Sequence, residues 1–293
     1  MAAIPRKVFE KIRHIQIRTA QFAEDIFAGA WHSAFKGQGM EFEEVREYQS
    51  GDDIRTIDWN VTARMSHPYI KVFREERELT VMLVVDVSAS SRFGSHRQLK
   101  RDLIAEIGAV LAFSAIKNHD KVGLILFSQK VEKYIPPKKG IRHVLRVIRE
   151  LLVFEPKHAG TDLADALSFL GGIQRKSCIC FLISDFLCPE HAHECSLIAN
   201  KHDLVSIAVS DPYELEFPNM EIVNVKDLET GEFSVVDSSD QRVHAQFQKK
   251  AQERLGKVEQ LMKRIGAGFI FIRTDRPYLD PLRKFFKMKE IKR

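Results

Sequence analysis

The chain has no long apolar run, few cysteines and little excess of charge, and each shortage excludes a class of protein. Its longest uninterrupted apolar stretches, such as Val81 to Val85 and Cys178 to Ile183, fall far short of the roughly 20 residues that a membrane-spanning helix needs. No membrane span is expected. Four cysteines in 293 residues do not make a disulfide framework, and those within or just after an apolar segment have the pattern of reduced core residues. The basic residues of MAAIPRKVFEKIRHIQIR have no apolar region behind them, unlike a secretory signal, so the cytoplasm is the expected compartment. Net charge is only +5, with acids and bases interspersed except in the closing KFFKMKEIKR; nothing in this balance calls for a nucleic-acid partner. There is no internal repeat, and no GxSxG elbow, GxxxxGK[ST] phosphate loop or HExxH helix occurs.

What is present is a globular composition, 44% hydrophobic and 29% charged, sufficient for one substantial core with a smaller domain beside it. From Ile4 to Phe27 the apolar positions Val8, Phe9, Ile12, Ile15, Ile17, Phe22 and Ile26 follow helical spacing. Residues 37–79 are richer in charge and contain three β-like pieces, MEFEEV, RTIDWNV and PYIKVF, with Gly51-Asp52-Asp53 as a turn between them. From Thr80 onward, continuously apolar strands alternate with helical patterns, beginning with VMLVVDV and ending with GFIFIRT, interrupted once by EIVNVKDLETGEFSVVD, which reads as a hairpin. Strands of this kind, separated by helices, predict a mostly parallel sheet covered on both faces, a doubly wound α/β domain. The expected organisation is a helix-plus-strand subdomain over 1–79, the sheet domain over 80–275 and a basic tail over 276–293.

The first of these strands stops at an acid. Ligands of open parallel sheets sit outside the carboxyl ends of the strands, near the point where strand order reverses, and Asp86 lies at such an end. If the backbone stays extended, residues 86, 88 and 90 share a face, so the carboxylate of Asp86 converges with the hydroxyls of Ser88 and Ser90. A second carboxylate, Asp185 in LISDF, ends another apolar strand, and Thr161 in AGTDLADAL offers a further hydroxyl at a helix start. Hard oxygen donors suit a small divalent cation, Mg²⁺ or Mn²⁺, rather than zinc or copper. Thr161 is equally placed to cap its helix, and the two roles are compatible.

Asp86-x-Ser88-x-Ser90, Thr161 and Asp185 resemble, in type, order and separation, the metal-ion-dependent adhesion site of von Willebrand factor A domains, which have a Rossmann-like fold. The resemblance implies that Asp86, Ser88, Ser90 and Thr161 bind Mg²⁺ directly or through water, that Asp185 acts through water, and that an open position accepts an Asp or Glu from a protein partner. Upstream, GMEFEEVREYQSGDDIRTIDWNVTAR followed by FREERE is similar to the signature of the bacterial family catalogued as domain of unknown function 58. Members of that family are commonly encoded with MoxR-type AAA+ ATPases, which implies a metal-dependent adaptor or co-chaperone. Many of them carry N-terminal membrane helices, and no such run occurs here.

Other readings attach to the same residues. A haloacid-dehalogenase-like phosphatase also uses Mg²⁺ and a nucleophilic Asp after its first strand, but needs a second acid two residues on, where Ser88 stands; a non-enzymatic binding module is therefore expected, with this phosphatase as the alternative. Asp52, Asp53 and Asp58 offer a second cation or partner site, against a charged hairpin pinned by Arg55 or Arg64. Trp59 reads as a packing anchor. Cys188, His191, His193 and Cys195 match no usual zinc spacing, and Arg142, Arg146 and Arg149 read as a solvated helix face.

Overall fold

The structure, a computed structural model, describes residues 40–291 apart from 76, 77, 96, 97, 189, 190, 219 and 230. The helices expected between Ile4 and Phe27 lie outside the described residues. Two compact units emerge, one within 36–79 and one that contains everything from Thr80 onward.

In the smaller unit, β1 (Met40–Glu47) pairs antiparallel with β2 (Tyr69–Glu75) across a bulge between Phe42 and Glu44. These are two of the three β-like pieces. The third, RTIDWNV, is a 3-10 turn at Ile54–Thr56 followed by the helix α1 (Trp59–Met65). The reason is capping chemistry: Asp53 accepts from the Arg55 amide, and Asp58 accepts from the amides of Asn60 and Val61, satisfying donors that a strand would have paired with a neighbour. Asp52 is held in a two-bond pair with Arg46, both bonds 2.8 Å, and Asp58 faces Lys71 at 3.3 Å. The acids of this segment are thus occupied in shaping the turn, with Arg46 and Lys71 as partners in place of the expected Arg55 or Arg64 side chains. Trp59, expected as a packing anchor, is instead 69% exposed.

In the larger unit, a six-stranded sheet has the order β10-β7-β6-β3-β4-β5, made of β3 (Thr80–Asp86), β4 (Lys121–Phe127), β5 (Val131–Lys138), β6 (Ile179–Ser184), β7 (Asp203–Ser210) and β10 (Gly268–Arg273). All neighbours are parallel except the β4–β5 edge hairpin. The fold is therefore α/β with a mostly parallel sheet. Strands β3 and β6 are buried on both faces, as continuous apolar runs require. A separate hairpin, β8 (Ile222–Lys226) with β9 (Phe233–Asp237), pairs only with itself, as the sequence anticipates.

The helices follow the apolar periodicity. Helix α2 (Lys100–Lys117) is buried on nearly all sides, and α3 (Ile141–Val153) lays down Val144, Val147, Ile148 and Leu151 as a single stripe. The two helices pass so close that a Cβ on Gly108 would lie 3.0 Å from Leu151 Cδ1. Beyond α4 (Leu163–Ile173) and α5 (Ala192–Lys201) come the short α6 (Pro212–Leu215) and the long α7 (Gln241–Arg264).

The segment expected as a basic tail is α8 (Leu279–Ile291), whose Leu282 and Phe286 are fully buried. Phe286 meets Phe181 of β6 edge-on at 6.4 Å between ring centroids. The basic residues of KFFKMKEIKR concealed an apolar stripe: Leu282, Phe285 and Phe286 stand three and four apart, the spacing of one helix face. Phe286→Ala should therefore lower unfolding stability by about 3–5 kcal/mol, read as a lower denaturant midpoint at unchanged slope. A change within about 0.5 kcal/mol, as for a solvated tail, would contradict this packing.

Candidate functional site

The sheet order creates one reversal. From β3 the chain moves to β4 and β5 on one side, then returns to β6, β7 and β10 on the other, so the carboxyl ends of β3 and β6 lie at the switch point where open α/β sheets bind ligands. Asp86 ends β3 and Asp185 follows β6. Both are 2% exposed.

Asp86 is fixed at both oxygens. Its Oδ1 accepts from the Ser88 amide at 2.9 Å and its Oδ2 from the Ser184 hydroxyl at 2.7 Å. Ser88 and Ser90, also buried, bring their hydroxyl oxygens to 3.0 Å. The Ser90 hydroxyl reaches on to Asp185. The 3-10 turn Ala89–Arg92 holds this loop in shape, with the Ser91 hydroxyl donating to the Ser88 carbonyl at 2.7 Å. The loop before α4 joins it through the Ala89 amide, which donates to the Ala159 carbonyl at 3.0 Å. Asp86, Ser88, Ser90 and Asp185 are thus linked by hydrogen bonds. Thr161 lies on the adjoining loop, and its hydroxyl donates to Glu229 Oε1 at 2.8 Å. The cap of α4 is Asp162, which accepts from the Asp165 amide at 2.9 Å, so the Thr161 hydroxyl is not used for capping.

Behind Asp185 stands a cation that the sequence reading passed over. Lys100, with no exposed surface, donates to Asp185 Oδ2 at 2.7 Å and also to Glu214 Oε1. Burial alone would push Asp185 up. The Lys100 ammonium, the Ser90 hydroxyl and the Leu187 amide outweigh it and hold this carboxyl below its usual range. Lys100 itself is raised: burial opposes its charge, but Asp185 and Glu214 more than compensate. The signal was in the sequence, since Lys100 stands at the head of the stripe Leu103, Ile104 and Ile107 and so points into the core. Ser184 and Glu229 were also missed. A lone serine before the aspartate, and a glutamate in a hairpin distant in sequence, carry no local pattern that marks them.

Phe186, immediately after Asp185, adopts φ +54°, a left-handed conformation that is uncommon outside glycine. It lets the Phe186 amide donate to Ser184 Oγ at 3.0 Å and the Leu187 amide to Asp185 Oδ1 at 3.0 Å. The turn is strained locally and compensated by burial of the Phe186 ring.

Do these residues fit a hard divalent cation? An octahedral Mg²⁺ with bonds of about 2.0–2.1 Å sets neighbouring ligands about 2.9–3.0 Å apart, the separation of Ser88 Oγ and Ser90 Oγ. Every donor is oxygen, and among the described residues no cation contacts Asp86 to match Lys100 beside Asp185. The fit is one of donor chemistry, with spacing shown for the two serine hydroxyls alone. Among the described residues, no group of three or more His, Cys, Asp or Glu side chains is placed to hold a metal ion, and this includes the Cys188–His191–Cys195 neighbourhood. There the thiol of Cys188, pushed up to about 12 chiefly by burial, stays protonated.

The comparisons with known proteins bear on the chain as a whole. Residues 44–256 match the family described as "Protein of unknown function DUF58". The chain is similar to Uncharacterized protein Rv1480 of Mycobacterium tuberculosis, at 31% identity over 285 residues that cover 95% of this chain and 89% of the relative, and equally to Uncharacterized protein Mb1516 of Mycobacterium bovis. It belongs to the DUF58 family. Solved structures similar in part include the conserved hypothetical protein BatB from Bacteroides thetaiotaomicron, with 16% identity, TM-score 0.47 and coverage of 73% of this chain and 100% of that one. Another is the VWA domain of SpRpn10, with 13% identity, TM-score 0.39 and coverage of 70% and 94%. Among the described residues, no helix is long and apolar enough to cross a membrane.

The electrostatics of Asp86 give a measurable consequence. Burial, reinforced by the charge of Asp185, raises its pKa from 3.8 to about 6. Between those values the folded chain keeps a proton that the unfolded chain has released, so this group's contribution to stability falls as pH rises through the window and stays low above it. The loss is about 3 kcal/mol at most. In the absence of divalent cations, Asp86→Asn should therefore raise stability at pH 7.5 and remove the decline between pH 4 and 6.5, as measured by urea unfolding. Parallel pH profiles for the two proteins would refute this assignment.

Proposed function

We propose that the chain is a non-enzymatic protein-binding module that holds Mg²⁺, or Mn²⁺, at Asp86, Ser88 and Ser90, with Thr161 and Asp185 completing the surround. The observation that carries this reading is the convergence of two serine hydroxyls, at 3.0 Å, beside a buried carboxylate with both oxygens oriented by donors. When bound, the cation supplies a desolvated positive charge to which an Asp or Glu of a partner protein attaches. Asp86 provides the anionic ligand, while Ser88 and Ser90 provide neutral ones that leave net positive charge for that carboxylate. Asp185, held by Lys100, orients the Ser90 hydroxyl. Ser184 fixes the rotamer of Asp86.

The partner class is taken from what the resemblance of the upstream sequence motif implies. A MoxR-type AAA+ ATPase is the proposed associate, with this chain as adaptor or co-chaperone. No catalytic residue is assigned: two positions after Asp86 a phosphatase of the haloacid-dehalogenase type requires an acid, and Ser88 is a buried hydroxyl that does not serve as a proton donor near neutral pH.

The test is capture of a MoxR-type AAA+ ATPase from the same organism by the immobilised full chain. Capture should fall at least tenfold in EDTA, return on adding Mg²⁺, and be equally low for Asp86→Ala, with the circular dichroism spectrum unchanged. Capture that survives both EDTA and the substitution would overturn the metal-bridged mechanism.

A further inference from the structure

At the tip of the β8–β9 hairpin Asp227 Oδ1 accepts from the Glu229 amide at 2.7 Å and the Asp227 carbonyl accepts from the Gly231 amide at 2.9 Å. Gly231 takes φ +78°, a conformation that glycine adopts without a steric penalty. This turn presents the Glu229 side chain, and its Oε1 receives the hydroxyl proton of Thr161 at 2.8 Å. Glu229 also lies close enough to Cys188 to act on its charge, as Asp86 and Asp185 do. A carboxylate of the chain itself is therefore bonded to Thr161, one of the residues proposed to surround the cation.

Two further features agree with this placement. The site is closed: Asp86, Ser88, Ser90 and Asp185 are all buried, although a docking position for a partner must at some time be open. The hairpin, in turn, is loosely held. Ile222, Phe233 and Val235 are each more than 70% exposed, so little apolar burial anchors it, and an isolated two-stranded sheet is marginal by itself.

We propose that Glu229 is the chain's own acidic ligand, occupying the position that a partner's Asp or Glu takes, so that capture of a partner requires the β8–β9 hairpin to swing away. This inference rests on the cation reading above and adds the regulation of that site. Exchange of one carboxylate for another at a fixed cation conserves charge, so the hairpin competes with a partner on nearly equal electrostatic terms. The partner gains through the rest of its interface.

Amide hydrogen exchange of the full chain, with and without Mg²⁺, and calorimetric titration of Mg²⁺ test it together, using Glu229→Gln. Gln keeps an acceptor for Thr161 but no charge. In the parent chain, Mg²⁺ should slow exchange across β8 and β9 about tenfold. In Glu229→Gln this slowing should vanish and Mg²⁺ should bind about tenfold more weakly. If the parent chain binds Mg²⁺ while hairpin exchange is unaffected, or if Glu229→Gln matches it in both measurements, Glu229 is not a ligand and the cation reading stands. If neither chain binds Mg²⁺ by calorimetry, the cation reading fails and this inference fails with it.

Discussion

Two carboxylates, Asp86 and Asp185, are buried near each other where the chain reverses direction across its sheet, and the surrounding structure is arranged to tolerate them. A buried charge is costly unless paired and hydrogen-bonded, and two of like sign disfavour each other further. One is answered by Lys100, which is itself without solvent contact and shared with Glu214. The other, Asp86, has hydrogen-bond donors at both oxygens but, among the described residues, no ammonium or guanidinium in contact, and burial with the charge of Asp185 makes it bind protons more tightly than an exposed aspartate does. The imbalance is local and specific: Lys100 answers Asp185 and Glu214, whereas Asp86 is left with hydrogen-bond donors alone. The proposed cation beside Asp86 would resolve it.

The scaffold explains how such an arrangement is held. Strands β3 and β6 are buried on both faces, so the positions of their last residues are set by core packing, not by the loops themselves. The turn after β6 is bent by the left-handed Phe186, whose ring is buried and whose amide bonds to Ser184. Ser184 in turn positions Asp86 across the strand boundary. Strain at one residue is thus converted into fixed geometry at another, the pattern expected where a site must be preorganised.

Much of this was legible in the sequence because it depends on periodicity. Continuous apolar runs ending in Asp86 and Asp185, helical stripes between them, and the EIVNVKDLETGEFSVVD hairpin all carried local patterns that the structure follows. RTIDWNV misled because its alternation of apolar and polar residues outweighed the Asp58 cap, which turns the same residues into a helix. The closing segment misled through charge, its lysines masking the face that buries Leu282 and Phe286. Lys100 and Glu229 are harder cases. Their roles come from contacts 85 and 68 residues away in sequence, and no local pattern encodes such a partner, although a lysine at the head of an apolar stripe was a clue.

The most direct measurement is anomalous diffraction at the manganese edge from crystals of the full chain soaked in Mn²⁺. A peak bonded to Asp86, Ser88 and Ser90, at about 2.1–2.3 Å and with Lys100 still on Asp185, is the result this account predicts. Saturating Mn²⁺ that leaves no peak there, with Asp86 still hydrogen-bonded to Ser88 and Ser184, would contradict it.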